Sequence, residues 1–68
     1  MIGKVVSFNE RLGYGFAKTE RTGKLVFIHY SKIISTDSFK KLRVGQYIEF
    51  DLYETSKGYE AENVRLYE

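Results

Sequence analysis

Hydrophobic and polar residues alternate along this 68-residue chain in short bursts, most of them closed by a polar cluster containing glycine. That two-residue period predicts short β-strands joined by turns. Lys4-Val5-Val6-Ser7-Phe8-Asn9 is rich in β-branched and aromatic residues and predicts a first strand, with Asn9 to Gly13 as the turn that follows. Tyr14 to Lys18 predicts a second strand, Thr19-Glu20-Arg21-Thr22-Gly23 a hairpin return, and Lys24 to Tyr30 a third strand. Ser31-Lys32-Ile33-Ile34 suits one helical turn capped by Ser31 but is too short for a stable helix. Ser35 to Lys41 is then a polar connection. After Gly45, Tyr47 to Tyr53 is the cleanest alternation, with Ile48, Phe50 and Leu52 expected inside. Phe8, Phe50 and Tyr53 are assigned to the structure. Ser56-Lys57-Gly58 signals another turn, and Tyr59 to Tyr67 a fifth strand with Ala61, Val64 and Leu66 as core contacts. The three-residue step from Ala61 to Val64 breaks alternation and predicts a bulge.

Five short strands in a chain of this length, with no cysteine to staple them, predict an all-β domain spanning residues 1–68: a five-stranded antiparallel OB-fold barrel, with an SH3-like barrel as the second choice. Closure removes the exposed strand edges that an open sheet would present. The hydrophobic fraction of 43% and charged fraction of 29% are those of a folded globular chain and exclude wholesale disorder. No apolar run approaches ~18 residues, and Gly3-Lys4 interrupts the start, so neither a membrane helix nor a signal peptide is expected and the cytoplasm is the expected location.

Two features turn this fold reading toward function. Aromatic residues make up 16% of the chain, six tyrosines and five phenylalanines, more ring surface than so small a core readily hides. The formal charge of +2 is also unevenly placed: residues 1–34 hold six basic and two acidic groups, whereas residues 35–68 hold five basic and seven acidic. The halves thus carry about +4 and −2, and a polyanion would meet the first.

Side chains alternate across a strand, so each ring can be assigned a face. On the second strand Gly15 and Ala17 share one face and Tyr14, Phe16 and Lys18 the other; the lysine belongs in water, which puts two rings outside with it. On the third strand Val26 and Ile28 form the natural core pair, leaving Leu25, Phe27 and His29 on the wet face. A hairpin through Gly23 then merges Tyr14, Phe16, Phe27 and His29 into one ring-covered surface with Lys18 at its margin. Exposed patches of this kind mark binding sites. Flat rings beside scattered lysines (Lys4, Lys18, Lys24, Lys32, Lys57) suit single-stranded nucleic acid, whose bases stack on the rings while its phosphates meet the charges. A duplex hides its base faces and suits such a surface poorly.

Over nearly its whole length the chain resembles the bacterial cold-shock protein family. Gly3-Lys4-Val5 with Phe8-Asn9 is similar to the family's opening strand, and Gly13-Tyr14-Gly15-Phe16 to the core of its first ribonucleoprotein motif. Val26-Phe27-Ile28-His29-Tyr30-Ser31 is similar to the second motif. Phe39-Lys40-Lys41-Leu42, Gly45-Gln46 and Ala61-Glu62-Asn63-Val64 match later landmarks in order. The resemblance implies an OB-fold that binds single-stranded RNA and DNA with low selectivity and melts RNA secondary structure as a chaperone. Carried over by position, binding roles fall on Lys4, Tyr14, Phe16, Phe27, His29, Tyr30 and Phe39; Lys18 and Lys57 join them as flanking charges. Tyr30, which alternation turns inward, and Phe39, in a loop, rest on the resemblance alone.

The departures bear on affinity. Ser7 stands where the family usually has a tryptophan, Val6 and Leu12 where lysines are common, Tyr59 in place of a proline, and Lys24-Leu25 in place of acidic residues. The Glu20 to Gly23 loop is also longer. Losing one stack costs on the order of 1–3 kcal/mol, and losing charges makes the salt dependence shallower. Arg11, Lys24, Lys57 and Tyr59 are the candidates to compensate.

Catalysis is not expected, and no cofactor or metal is called for. One histidine and no cysteine leave no nucleophile pair with an orienting carboxylate, and metal-ligand spacing is absent. Glu60 and Glu62 sit two apart on one strand face and are assigned to solvation. Gly13-Tyr14-Gly15 lacks the following helix of a dinucleotide fingerprint. The rival of another class is a peptide-binding module that uses the aromatic face; salt distinguishes the two, because phosphate binding weakens as salt rises. A monomer is expected, with strand exchange through the loop after Ile34 left open.

Overall fold

The computed structural model describes residues 1–34 and 41–67. Its strands are β1 (Ile2–Asn9), β2 (Tyr14–Thr19), β3 (Leu25–His29), β4 (Tyr47–Thr55) and β5 (Gly58–Leu66), with a short 3₁₀ turn at Tyr30–Lys32. Among the described residues they close into a barrel in the order β1-β2-β3-β5-β4, β4 returning to β1. This is the expected five-stranded barrel with one correction: β3 and β5 pair in parallel, and the other neighbours are antiparallel. The parallel pair follows from the crossover, since a strand that is not joined to its neighbour by a hairpin need not reverse direction.

The core is built from alternate positions of every strand: Val5, Ala17, Val26, Ile28, Ile48, Phe50, Ala61 and Val64, closed by Ile33 and Leu42. Phe8, Leu52 and Tyr59 pack against it from partly buried positions. One expected core contact, Leu66, lies outside, and so does Tyr53, which was assigned to the structure. Leu66 is 52% exposed, because it lies past the Ile33–Val64 bridge, the last described contact that β5 makes on its β3 side. Tyr53 is 54% exposed, because Ile48, Phe50 and Leu52 fix the parity of β4 and the next residue must point out.

Two bulges shift that parity elsewhere. In β5, Asn63 and Val64 together oppose Phe50, and Asn63 takes a left-handed conformation at φ 51°. This is the bulge the Ala61-to-Val64 step implied, and it lets both of those residues face inward. In β1 an extra residue lies between Val5, opposite Ala17, and Ser7, opposite Phe16. Val6 and Ser7 are both exposed, while Phe8 turns back toward the core.

The glycines of the second strand answer to packing. A Cβ on Gly15 would fall within contact distance of the Ser7 carbonyl oxygen and 2.7 Å from Phe8 Cα, both backbone of β1. A Cβ on Gly13, at φ 76°, would lie 2.6 Å from Tyr30 Cδ1. Gly13 therefore makes the seat for the Tyr30 ring, and the Tyr30 amide donates to the Gly13 carbonyl at 2.8 Å.

Candidate nucleic-acid interface

The β2–β3 hairpin is in the register that the side-chain faces required. Tyr14 opposes His29, Phe16 opposes Phe27 and Lys18 opposes Leu25, so all six share the outer face, while Ala17 and Val26 face each other in the core. Phe16 and Phe27 pack as a tilted edge pair with ring centroids 5.6 Å apart, and Tyr14 lies 5.7 Å from Phe27 on its other side. Phe27 is thus the centre of a three-ring cluster. Phe16 and Phe27 are half-buried where full exposure was expected, because each ring covers part of its neighbour.

His29 and Tyr30 extend the cluster. Their rings are 4.7 Å apart, and Tyr30 is 48% exposed. Tyr30 opens the 3₁₀ turn instead of ending β3, which frees it from the alternation that would have buried it. The cap of that turn is His29, not Ser31: the Ser31 amide donates to His29 Nδ1 at 3.2 Å, and Ser31 Oγ lies 2.8 Å from the same nitrogen. With Nδ1 taken up by Ser31, Nε2 is the ring nitrogen left for an outside partner.

Cross-strand pairing continues the Phe16–Phe27 row in both directions. Ser7 of β1 opposes Phe16, and Glu60 of β5 opposes Phe27, with Tyr53 of β4 beyond it. A groove of about 380 Å³ runs between Phe16 and Phe27 on one side and Lys57, Gly58 and Tyr59 on the other. A smaller hollow of about 240 Å³ lies on the far side of Phe27, lined by His29, Lys32, Glu60 and Glu62. Lys32 pairs with Glu62 at 3.1 Å, so one of those two carboxylates is neutralised there.

The lysines take distinct places. Lys4 opposes Lys18 across β1 and β2, and both are exposed on the outer face one step from the rings. Lys57 sits in the β4–β5 turn at the rim of the larger groove. Lys24 donates to the Tyr59 hydroxyl at 2.7 Å and lies 4.7 Å from the centre of that ring. The hydrogen bond to that hydroxyl raises the Lys24 ammonium above the usual lysine range. Of the nine residues assigned binding roles, eight are described: Tyr14, Phe16, Phe27, His29 and Tyr30 form one continuous ring surface, Lys4 and Lys18 flank it, and Lys57 borders its groove. Phe39 lies outside the described residues.

Glu60 and Tyr53 were not singled out from the chain as part of this surface. Their signal was present only in pairing, since the β3–β5 contact that sets Glu60 beside Phe27 joins segments 33 residues apart.

Comparison with known proteins agrees with this geometry. The chain is 44% identical to a cold shock-like protein of Aquifex aeolicus over 94% of its length and 90% of the relative's. It is 41% identical to a cold shock-like protein of Thermotoga maritima over the full length of both, and 45% identical to cold shock-like protein CspE of Escherichia coli K12 over 91% of this chain and 88% of that one. Among solved structures, the Drosophila Unr CSD456 structure superposes with a TM-score of 0.78 at 18% identity, covering 98% of this chain and 26% of that one, which supports the fold. The sequence profile of the 'Cold-shock' DNA-binding domain matches residues 1–67, and the chain belongs to that family.

Proposed function

We propose that this domain binds single-stranded RNA and DNA with little base selectivity, through the outer face of β1, β2 and β3, and that it serves in the cytoplasm as a monomeric RNA chaperone or regulator of transcription and translation. The observation that carries this reading is the Phe16–Phe27–Tyr14 cluster on an outward-facing hairpin, flanked by lysines. Each ring offers a face on which any base stacks, for roughly 1–3 kcal/mol per base, and the lysines supply the phosphate attraction. His29 Nε2 adds a polar contact at the edge of the platform.

Ser7 supports a further part of the proposal. It sits directly beside Phe16, where a large ring would have lengthened the row, and its hydroxymethyl offers no stacking surface. Affinity is therefore set below that of a tryptophan-bearing relative, with Tyr59 and Lys57 across the groove making up part of the loss.

Fluorescence anisotropy of a labelled seven-base oligothymidine, run beside the matching duplex at low and moderate salt, tests the proposal. Single-strand preference that weakens with salt is expected. Equal binding of strand and duplex, or binding indifferent to salt, would refute it and turn attention to a peptide ligand.

A further inference from the structure

The outer face does not end at the two lysines. Tyr47 of β4 opposes Lys4, which opposes Lys18, so a second cross-strand row, Tyr47–Lys4–Lys18, runs beside the Ser7–Phe16–Phe27 row. Tyr47 is 42% exposed, and Lys4 Nζ lies 5.8 Å from the centre of its ring. From Phe16 the distance to Tyr47 is two strand spacings across and two residues along, about 12 Å over the surface.

The lysine pair between the two rings is unusual for a sheet. Like charges directly opposite one another on antiparallel strands repel and cost stability. Among the described residues no carboxylate forms an ion pair with either lysine. A bound phosphodiester would relieve that repulsion, and its two flanking bases would then find a ring on each side: Phe16 beyond Lys18, and Tyr47 beyond Lys4.

We propose that Tyr47 is a further base-stacking residue, extending the single-stranded nucleic-acid path across β1 onto β4, with Lys4 and Lys18 gripping the phosphate between Phe16 and Tyr47. This rests on the nucleic-acid reading above. The occupant is the same strand continuing past Phe16, argued from the continuity of the face and from its uncompensated positive charge. On this account the chain regains beyond the lysines a ring that it lacks at Ser7.

The experiment compares four-base and ten-base oligothymidine binding to the wild type, Tyr47→Ala, Tyr47→Phe and Phe27→Ala, with thermal unfolding as a check on each variant. Tyr47→Ala is expected to weaken the ten-base strand about tenfold, the scale of one lost stack, while leaving the four-base strand unchanged, because the short strand is held on the Phe16–Phe27 platform. Tyr47→Phe should bind both strands as the wild type does, since stacking needs the ring and not the hydroxyl. Phe27→Ala should weaken both.

If Tyr47→Ala leaves the ten-base strand unaffected while Phe27→Ala weakens it, the extension is wrong and the nucleic-acid reading stands. Equal losses on both strands from Tyr47→Ala would overturn the extension as well, showing that the ring acts by positioning Lys4. Absence of single-strand binding by the wild type would overturn both the extension and the reading on which it rests.

Discussion

Phe16 and Phe50 are the same residue type with opposite roles, and the difference is set by parity. Phe50 is 1% exposed in the core, where truncation to alanine costs about 3–5 kcal/mol, a large share of the stability of so small a domain. Phe16 leans on Phe27 across the outer face, and an edge contact of that kind contributes about 0.5–1.5 kcal/mol. Phe50→Ala is therefore expected to unfold the domain at ordinary temperature, while Phe16→Ala and Phe27→Ala keep the fold and lose most single-strand binding. Circular dichroism melts beside anisotropy titrations check this; a Phe16→Ala protein that fails to fold would show the face assignment to be wrong. Gly15 belongs to the same scale. Because its missing Cβ is replaced by β1 backbone, Gly15→Ala forces two strands apart and is expected to cost about 1–3 kcal/mol, measured by thermal unfolding. The two faces of β2 were legible in the residue order, because a lysine two places from a phenylalanine on one strand marks their shared side as wet. The reason for Gly13 was not, since its neighbour Tyr30 reaches it only through the fold.

At the scale of elements, the bulges decide which side chains each strand presents. The β5 bulge was visible as a broken alternation, because Ala61 and Val64 are both apolar and three apart. The β1 bulge left no such trace: Val5 and Val6 are equally apolar, and only the pairing with β2 shows that Val6 is the one turned out. Asn63 carries the β5 bulge at positive φ, with its side-chain amide donating to Asp51 Oδ2 at 2.8 Å. A β-branched residue is poorly tolerated there, so Asn63→Val is expected to cost about 1–2 kcal/mol. That corresponds to a fall in Tm of roughly 4–8 °C per kcal/mol for a domain of this size. An unchanged Tm would show that the bulge relaxes without cost.

For the whole molecule, barrel order turns a difference between chain halves into a difference between sides. β1, β2 and β3 are consecutive in the barrel as they are in sequence, so the basic first half of the chain forms one continuous face. Part of the acidic charge of β4 and β5 is offset by ion pairs, Glu49 with Arg65 and Glu62 with Lys32. With Lys4 and Lys18 sharing one phosphate and Lys57 meeting another, the logarithm of the binding constant should fall with the logarithm of salt at a slope of about −1.4, following roughly −0.7 per phosphate on a single strand. A slope near zero in the same titration would remove the lysines from the interface.

The sequence by itself determined the strands, the inward residues of most of them, and the identity of the ring-bearing hairpin, because all three depend on period and on the turn between adjacent segments. It also carried the motif order that marks the family. Only the tertiary structure decided the parallel β3–β5 pairing, which sets Glu60 beside Phe27, and the β4–β1 closure, which sets Tyr47 beside Lys4. Those contacts join residues more than 30 positions apart, and no local pattern records a partner that the chain meets only when the barrel closes.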